Sequence, residues 1–250
     1  TKATLISKDS GIYFGETIID VVFEIIDSEV KINRFKQDGD TVNPGDKISQ
    51  FTGSVHSLLK AERVLLNFIQ RLSGIATTTR KFVDTLNNPS IKIMDTRKTT
   101  PNLRLLERAA VVAGGGKNHR FGLSDMVLIK ENHLAQLAKE NRLQDLPVFL
   151  ETFKKANPTI TIEMEIEYPE QLEQIDLRFV DIVMLDNFSI ENIQKALDIY
   201  KDNHFKFELE VSGNINLDTI RNYSNCDIHR ISVGSLPHSV KALDLSMLIH

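Results

Sequence analysis

Six short β-like runs alternate with helical patterns in the second part of the chain, and this alternation constrains the fold more than any other feature. The runs are "IKIMD", "MVLIK", "ITIEMEIE", "DIVMLD", "KFELEVSG" and "IHRISVG". Segments with helical spacing lie between them, among them "NLRLLERAAVVA", "LPVFLETFKKA" and "SIENIQKALDIY". Strands that alternate with helices predict a parallel sheet. Six such units are compatible with a closed or nearly closed βα barrel, and a doubly wound open sheet is the alternative.

Residues 1 to 66 follow a different pattern. The β-like runs "ATLI", "VKINRF" and "KISQF" accompany one helix-like run, "ETIIDVVFEI", and turn-forming Gly39, Pro44 and Gly45 separate two of the strands. This region is typical of a small α/β module. From Val55 onward, the apolar spacing in "SLLKAERVLLNFIQRL" and "SGIATTTRKFVDTL" predicts two helices divided by a Ser-Gly break.

Composition excludes several classes of function. A formal net charge of -4 argues against a nucleic-acid partner, which needs a broad basic excess. No apolar run approaches the roughly 18 to 20 residues needed to span a bilayer, so no membrane partner is expected. The chain has one cysteine, Cys226, so it has no intrachain disulfide, and we expect a reducing compartment, the cytoplasm. Cys226 stands at the start of a predicted strand and is expected to be unreactive.

Positive charge is concentrated between Asp95 and Leu134, although the chain as a whole is acidic. The basic residues of this stretch are Arg97, Lys98, Arg104, Arg108, Lys117, Arg120 and Lys130, together with His119 and His133. Four acids accompany them: Asp95, Glu107, Asp125 and Glu131. Such a local excess in an acidic protein predicts a binding site for a small anion.

Polar residues follow nearly every predicted strand of the second region. They are Asp95 to Lys98, Lys130 and Glu131, Asp186 and Asn187, Ser212 to Asn214, and Gly234 and Ser235. In βα barrels the catalytic groups project from the carboxyl ends of several strands, so these clusters predict one shared site. The small residues after the last two strands suit a phosphate group, whereas the alternative is a pair of ordinary strand-to-helix turns.

The strand "ITIEMEIE" places Glu163, Glu165 and Glu167 on one face. Inward-facing glutamates are costly unless they meet cations or a ligand. Glu165 and Asp186 are therefore candidates for holding sugar hydroxyls, or Mg²⁺ that arrives on a phosphate. An internal ion pair between Glu165 and Lys130 is the structural alternative.

The motifs "DTRKT", "GGGKNHRFGLSD", "LIKENH", "EMEIE", "LDNF", "EVSGN" and "SVGSLPHSVKALDLS" together resemble the quinolinate phosphoribosyltransferase family. "ERVLLNFIQRLSGIAT" resembles it as well, so the resemblance runs through nearly the whole chain. It implies conversion of quinolinate and phosphoribosyl pyrophosphate to nicotinate mononucleotide, pyrophosphate and CO₂ in NAD biosynthesis. It also implies Mg²⁺ brought in with the sugar donor, no organic cofactor, and a homodimer.

The same resemblance implies an α/β fold with two domains. An α/β sandwich domain is expected over residues 1–66, with the C-terminal tail, 237–250, packing back on it. An open or incomplete βα barrel is expected over residues 67–236 and carries the catalytic site.

The resemblance also assigns roles to particular residues. Residues expected to bind substrate are Arg63, Thr96, Arg97, Lys98, His119, Arg120, Lys130, Glu165 and Asp186. Arg63 is expected to reach the active site of the neighbouring subunit, and the catalytic roles fall to Lys98, Lys130, Glu165 and Asp186. The expected phosphate-binding residues are Ser212, Gly213, Asn214, Gly234 and Ser235. No metal ligand is certain, although Glu165 and Asp186 are candidates for association with Mg²⁺.

Some positions depart from the family pattern. Asn214 replaces the commoner glycine of a Ser-Gly-Gly motif, and "LERAAVV" differs from the family, so we interpret Glu107 and Arg108 as solvated helix residues. The family has a further helical segment ahead of the first residue here, so we expect the natural chain to be longer at that end.

Three other functions are compatible with parts of the pattern. A related phosphoribosyltransferase-like protein would share the fold but use another substrate. A Schiff-base aldolase would use Lys130 as its nucleophile. A non-catalytic anion sensor would bind the ligands without turnover and would not need Glu165 and Asp186.

Overall fold

The computed structural model describes residues 1–250, which divide into two compact units. The first unit comprises Thr1–Asp84, Lys98–Lys117 and Ser235–His250, and the second comprises Thr85–Arg97 and Asn118–Gly234. Three separate stretches of chain therefore build the first unit. The expected domains were residues 1–66 with the tail 237–250, and residues 67–236.

The chain forms twelve strands and eight α-helices. In chain order they are β1 (Lys2–Ser7), β2 (Gly11–Ile12), α1 (Glu16–Ile26), β3 (Lys31–Arg34), β4 (Thr41–Val42), β5 (Lys47–Thr52), α2 (Val55–Leu86), β6 (Lys92–Met94), α3 (Arg104–Ala113), β7 (Met126–Ile129), α4 (Glu131–Lys139), α5 (Leu146–Ala156), β8 (Thr161–Ile166), α6 (Gln171–Gln174), β9 (Ile182–Asp186), α7 (Ile190–Asp202), β10 (Glu208–Ser212), β11 (Arg230–Ser232), α8 (Ser235–His238) and β12 (Leu245–Ile249). None of these helices combines the length and the apolar character needed to cross a bilayer.

The first unit contains a four-stranded antiparallel sheet in the order β12-β1-β5-β3. The C-terminal strand β12 lies along β1, where Ala3 is opposite Ile249 and Leu5 is opposite Met247. Helix α1 buries Ile19 and Phe23, and the Phe23 ring lies 4.9 Å from that of Phe51 on β5. Because the first and last strands pair, the two ends of the chain share one apolar core.

Helix α2 is continuous over 32 residues, so the prediction of two helices with a Ser-Gly break is wrong. Both residues serve packing. The Ser73 hydroxyl accepts a hydrogen bond from the Phe14 N–H at 3.0 Å. A Cβ atom on Gly74 would lie 2.4 Å from the Lys241 carbonyl oxygen. Gly74 therefore permits close approach of the C-terminal segment, which outweighs the modest cost of a glycine inside a helix.

The second unit is built on a six-stranded, all-parallel sheet in the order β6-β11-β10-β9-β8-β7. The strands follow one another in chain order from β7 to β11, and β6 then lies beside β11. This circular order is that of a barrel and contradicts a doubly wound sheet, in which the order reverses. Strands β6 and β7 are both edge strands, so the barrel is open between them, as expected.

The strands of this sheet are buried on both faces. On β8, the apolar Ile162, Met164 and Ile166 are enclosed, and so are Glu163 and Glu165 on the other face. Helix α4 was not predicted, and residues 220–223 between β10 and β11 form only a short 3₁₀ turn. Burial on both faces is typical of parallel strands covered by helices on one side and enclosing a barrel interior on the other.

Candidate functional site

The carboxyl edge of the parallel sheet brings together the polar residues that follow the strands of the second unit. Asp186 ends β9 and Ser212 ends β10, and these two residues pair in register. Lys130 directly follows β7, Glu165 is the penultimate residue of β8, and Gly234 lies two residues after the end of β11. Since parallel strands share one carboxyl edge, residues distant in sequence meet there.

Lys130 and Glu165 form an ion pair at this edge. The Lys130 Nζ lies 3.2 Å from Glu165 Oε2, and the lysine side chain is about half exposed while that of the glutamate is nearly enclosed. Burial and a hydrogen bond shared with Glu131 raise the pKa of Glu165 to about 7, and the nearby Asp186 charge acts in the same direction. The structural alternative predicted for Glu165, an internal ion pair with Lys130, is thus present.

Asn187, Gly213 and Asn214 form a compact polar turn beside Asp186. The Asn187 amide nitrogen donates to Asp186 Oδ2 at 2.6 Å, and the Asn214 amide nitrogen donates to Asn187 Oδ1 at 3.0 Å. Gly213 has a φ of 92°, and a Cβ there would lie 2.2 Å from Asn187 Oδ1. Only glycine fits this position, which leaves the ends of β9 and β10 in close contact.

His119 lies in a buried acidic cluster. Its Nε2 is 3.1 Å from Glu163 Oε2 and 3.2 Å from Glu210 Oε1, and neither glutamate side chain is exposed to solvent. Burial by itself would lower the pKa of His119, but the two carboxylates outweigh it and raise the pKa to about 10. The imidazole is therefore a cation at neutral pH. Burial in turn raises the pKa of Glu163, against the contrary effect of His119.

Arg120 follows directly and is 9% exposed. Its Nη1 donates to the carbonyl oxygen of Met126, at the start of β7, at 3.4 Å. Burial, and after it the nearby positive charge of Arg97, lowers the pKa of Arg120. Arg97 itself is exposed, and Thr96 is half-buried. Cations held near one another in this way favour binding of a multiply charged anion.

Three of the predicted site residues belong to the first unit. Arg63 lies on α2 with its side chain 82% exposed, and its contact with an acid is a distant one, 3.9 Å to Glu62. Lys98 is exposed, and Ser235 begins the four-residue helix α8. The boundary between the units thus passes between Arg97 and Lys98 and between Gly234 and Ser235.

Several important polar residues were missed or misread. Asp95 is buried, and its Oδ1 accepts a hydrogen bond from the His119 N–H at 2.7 Å. The interpretation of Glu107 as solvated is wrong, because its side chain is fully buried and its Oε1 lies 2.7 Å from Arg71 Nη2. Glu107 occupies the inward face of α3 with Ala110 and Val111, and this helical spacing was the available signal. The half-buried Cys226 has its pKa raised by burial, as for an unreactive thiol.

Family models match nearly the whole chain in two parts. The model described as quinolinate phosphoribosyl transferase, N-terminal domain, matches residues 1–73, and that of the C-terminal domain matches residues 75–248. A similar curated protein is a probable nicotinate-nucleotide pyrophosphorylase (carboxylating) from Bacillus subtilis (strain 168). It is 42% identical over 250 residues, which are 98% of this chain and 82% of that protein. A chloroplastic enzyme of the same name from Arabidopsis thaliana is 38% identical over 99% of this chain and 74% of its own length.

Solved structures agree with the family models. The crystal structure of NadC from Streptococcus pyogenes is 41% identical and superposes with a TM-score of 0.89, covering 99% of this chain and 86% of that one. Both parts of the chain are therefore matched in sequence and in fold.

Proposed function

The chain belongs to the quinolinate phosphoribosyltransferase family, and we propose that it transfers a phosphoribosyl group from phosphoribosyl pyrophosphate to quinolinate with loss of CO₂. The products would be nicotinate mononucleotide, pyrophosphate and CO₂, as the names of its relatives indicate. The observation that carries the proposal is the carboxyl edge of the parallel sheet, where Lys130 pairs with Glu165 at 3.2 Å and Asp186 ends the neighbouring strand β9.

Quinolinate would be held by the cations of the second unit. It is a dicarboxylate, and a guanidinium group pairs with a carboxylate through two parallel hydrogen bonds. Arg97, Arg120 and the imidazolium of His119 supply such donors, and the mutual influence of the two arginines supports a shared anionic ligand. Thr96 and Lys130 complete this set, and Lys98 would contact the sugar donor or the pyridine carboxylate.

The sugar donor would lie across the ends of β8 to β11. Glu165 and Asp186 accept hydrogen bonds, which suits the ribose hydroxyls. Ser212, Gly213, Asn214, Gly234 and Ser235 would surround the 5′-phosphate, because small residues let backbone N–H groups approach an anion. The tight turn at Gly213 supports this assignment, since a side chain there would collide with Asn187.

The strand-end acids also fit Mg²⁺, which would arrive with the donor. Glu165 and Asp186 end adjacent strands and offer the carboxylate oxygens that this ion prefers, and the Asp186 charge helps to raise the pKa of Glu165. A dication would relieve that repulsion. When bound, it would neutralise charge on the departing pyrophosphate.

The chemistry requires no protein nucleophile. The pyridine nitrogen forms a bond to C1 of the ribose while the bond from C1 to the pyrophosphate oxygen breaks. Glu165 and Asp186 stabilise the positive charge that develops on the ribose, and the lysines stabilise the leaving group. The pyridinium then accepts the electron pair released as CO₂ departs, and the ring carbon takes up a proton.

The position of Arg63 supports a proposal that the chain forms a homodimer. The proposed compartment, the cytoplasm, rests instead on the single cysteine of the chain. The Arg63 side chain is highly exposed and projects from a helix that also exposes Val55, Leu59 and Val64. An arginine on such a surface can serve the neighbouring subunit. Mixed dimers of Arg63→Ala and Lys130→Ala subunits test this directly: a shared site recovers part of the activity, whereas separate sites recover none.

The deciding assay follows mononucleotide and CO₂ from quinolinate, phosphoribosyl pyrophosphate and Mg²⁺, with nicotinate as the parallel substrate. Equal amounts of mononucleotide and CO₂ from quinolinate alone are expected. Product from nicotinate at a comparable rate would contradict the proposed dicarboxylate substrate. Glu165→Gln serves as the inactive control. Lys139→Met, which changes an exposed residue on α4, serves as the active control.

A further inference from the structure

The cluster around His119 has a geometry that the proposed chemistry does not itself require. Glu163 lies on β8 and Glu210 on β10, and β9 separates these strands in the sheet. Both carboxylates nevertheless reach the same imidazole nitrogen, at 3.1 and 3.2 Å. Ser232 on β11 donates a hydrogen bond to Glu210 Oε1. Side chains from three strands thus converge on one face of the sheet and fix a single ring.

This arrangement is costly for the fold. The imidazole contacts are not completed hydrogen bonds, because four buried atoms have no hydrogen-bond partner: His119 Nε2, both oxygens of Glu163, and Glu210 Oε2. A buried carboxylate that is incompletely hydrogen-bonded costs several kcal/mol. Incompletely satisfied buried groups are rare in native proteins and point to a role other than stability.

The backbone at His119 is fixed by hydrogen bonds as well as its imidazole ring. Asp95, which directly follows β6, accepts the hydrogen bond from the His119 N–H, and Arg120 then donates to the Met126 carbonyl oxygen. The negative charge of Glu163 also acts on Arg120. The negative charges of the two glutamates therefore offset the positive charges of two buried cations, His119 and Arg120.

We propose that Glu163 and Glu210 are positioning residues that hold the His119 imidazolium and the adjacent Arg120 in a fixed geometry before substrate binds. The inference deepens the proposed function, since these two cations would receive the carboxylates of quinolinate. Donors that are fixed in advance need no reorganisation when the anion arrives. Neither glutamate contacts substrate in this arrangement, so both act through His119 and Arg120.

A divalent metal ion is the competing occupant. The three ligand atoms of His119, Glu163 and Glu210 all lie within 4.8 Å of one another. Glu163 is also under the influence of the positive charges of Arg120 and Arg230, which disfavours a further dication. A proton on the imidazole satisfies the same carboxylates at lower electrostatic cost.

Kinetics of Glu163→Gln and Glu210→Gln test the positioning role. Each variant is expected to raise KM for quinolinate about tenfold to a hundredfold, the loss typical of a hydrogen bond to a charged group, with KM for phosphoribosyl pyrophosphate nearly unchanged. Glu163→Gln added to His119→Asn should then cause little further loss, because the glutamate acts through that ring. Glu191→Gln, which changes an exposed acid on α7 outside the cluster, is the control and should leave both KM values unchanged.

Histidine NMR gives a second reading that does not depend on turnover. At pH 8 the ring-nitrogen signals of His119 are expected to be those of an imidazolium in the wild type. In the Glu163→Gln/Glu210→Gln protein they are expected to be those of a neutral ring. An imidazolium in the double variant, or equal rises in both KM values, would overturn the proposal. Stoichiometric metal that disappears with Glu163→Gln would also overturn it. If the wild type gives the imidazolium signal but forms no mononucleotide, the proposed function is contradicted and the positioning of His119 is not.

Discussion

The first unit of the molecule encloses one fully buried glutamate and the second encloses two, but the two environments differ in how completely the carboxylates are hydrogen-bonded. In the first unit, Glu107 Oε1 accepts from Arg71 and Oε2 accepts from the Thr100 N–H at 3.0 Å. In the second unit, Glu163 and Glu210 share one imidazole and retain oxygens without a partner. Burial of charge alone therefore does not indicate function: the fully hydrogen-bonded cluster stabilises the fold, and the incompletely hydrogen-bonded one positions His119 and Arg120.

The first unit's cluster should give the largest effect on stability. Arg71 also donates to the Thr100 hydroxyl and the Pro237 carbonyl, so it joins α2 to the segment before α3 and to the C-terminal segment. Arg71→Met leaves Glu107 buried without its cation and is expected to lower the free energy of unfolding by about 3 kcal/mol. Urea denaturation measures this. Lys155→Met, which removes an exposed ion pair with Glu151, is the control and should cause no measurable change.

Lys130 provides the opposite case, a cation whose loss should affect the reaction and not the fold. Its pair with Glu165 is half exposed, and such pairs contribute less than about 1 kcal/mol to stability. Lys130→Met is expected to lower kcat about 100-fold to 1,000-fold, the usual loss when one electrostatic stabiliser of a transition state is removed. If Lys130→Met instead lowers stability as much as Arg71→Met and leaves kcat unchanged, the catalytic role of Lys130 is contradicted.

The His119 cluster should add a pH dependence to stability. The pKa of His119 is raised to about 10 from its ordinary value near 6.5, so the folded state holds a proton that the unfolded state releases. Its contribution is therefore complete below about pH 6.5 and is lost as pH rises through about 10. Between these limits the free energy of unfolding should fall by at most about 1.4 kcal/mol per pH unit. Urea midpoints across this range measure the slope.

The Glu163→Gln/Glu210→Gln protein is the control for that slope. With neutral partners, burial disfavours the imidazolium, so the pKa of His119 should drop below its ordinary value and the decline above pH 6.5 should disappear. An unchanged slope in this protein would assign the pH dependence to another group.

Local patterns in the sequence were sufficient for the barrel and for the strand ends. Alternating strands and helices gave the parallel sheet, and residues such as Asp186 and Ser212 meet because parallel strands share one edge. The ion clusters were not predictable in this way. Arg71 and Glu107 are 36 residues apart, and the partners of His119 lie on strands that follow it in the chain, so only the tertiary fold brings them together.

Substitutions of Asn214 should have the smallest effect on activity. They distinguish the contribution of its side chain from that of its backbone conformation in the turn after β10. Its φ of 53° lies in the left-handed region, which asparagine and glycine tolerate better than other residues. Asn214→Gly keeps this backbone and removes only the hydrogen bond to Asn187, which in turn donates to Asp186. A rise of about twofold to fivefold in KM for phosphoribosyl pyrophosphate is expected, as for an exposed neutral hydrogen bond. Asn214→Ala loses the same bond and also strains the backbone, so it should unfold at lower urea than Asn214→Gly. Equal stability of the two variants would mean that the turn does not need its left-handed residue, and the close packing of β9 against β10 would then have to come from Gly213 alone.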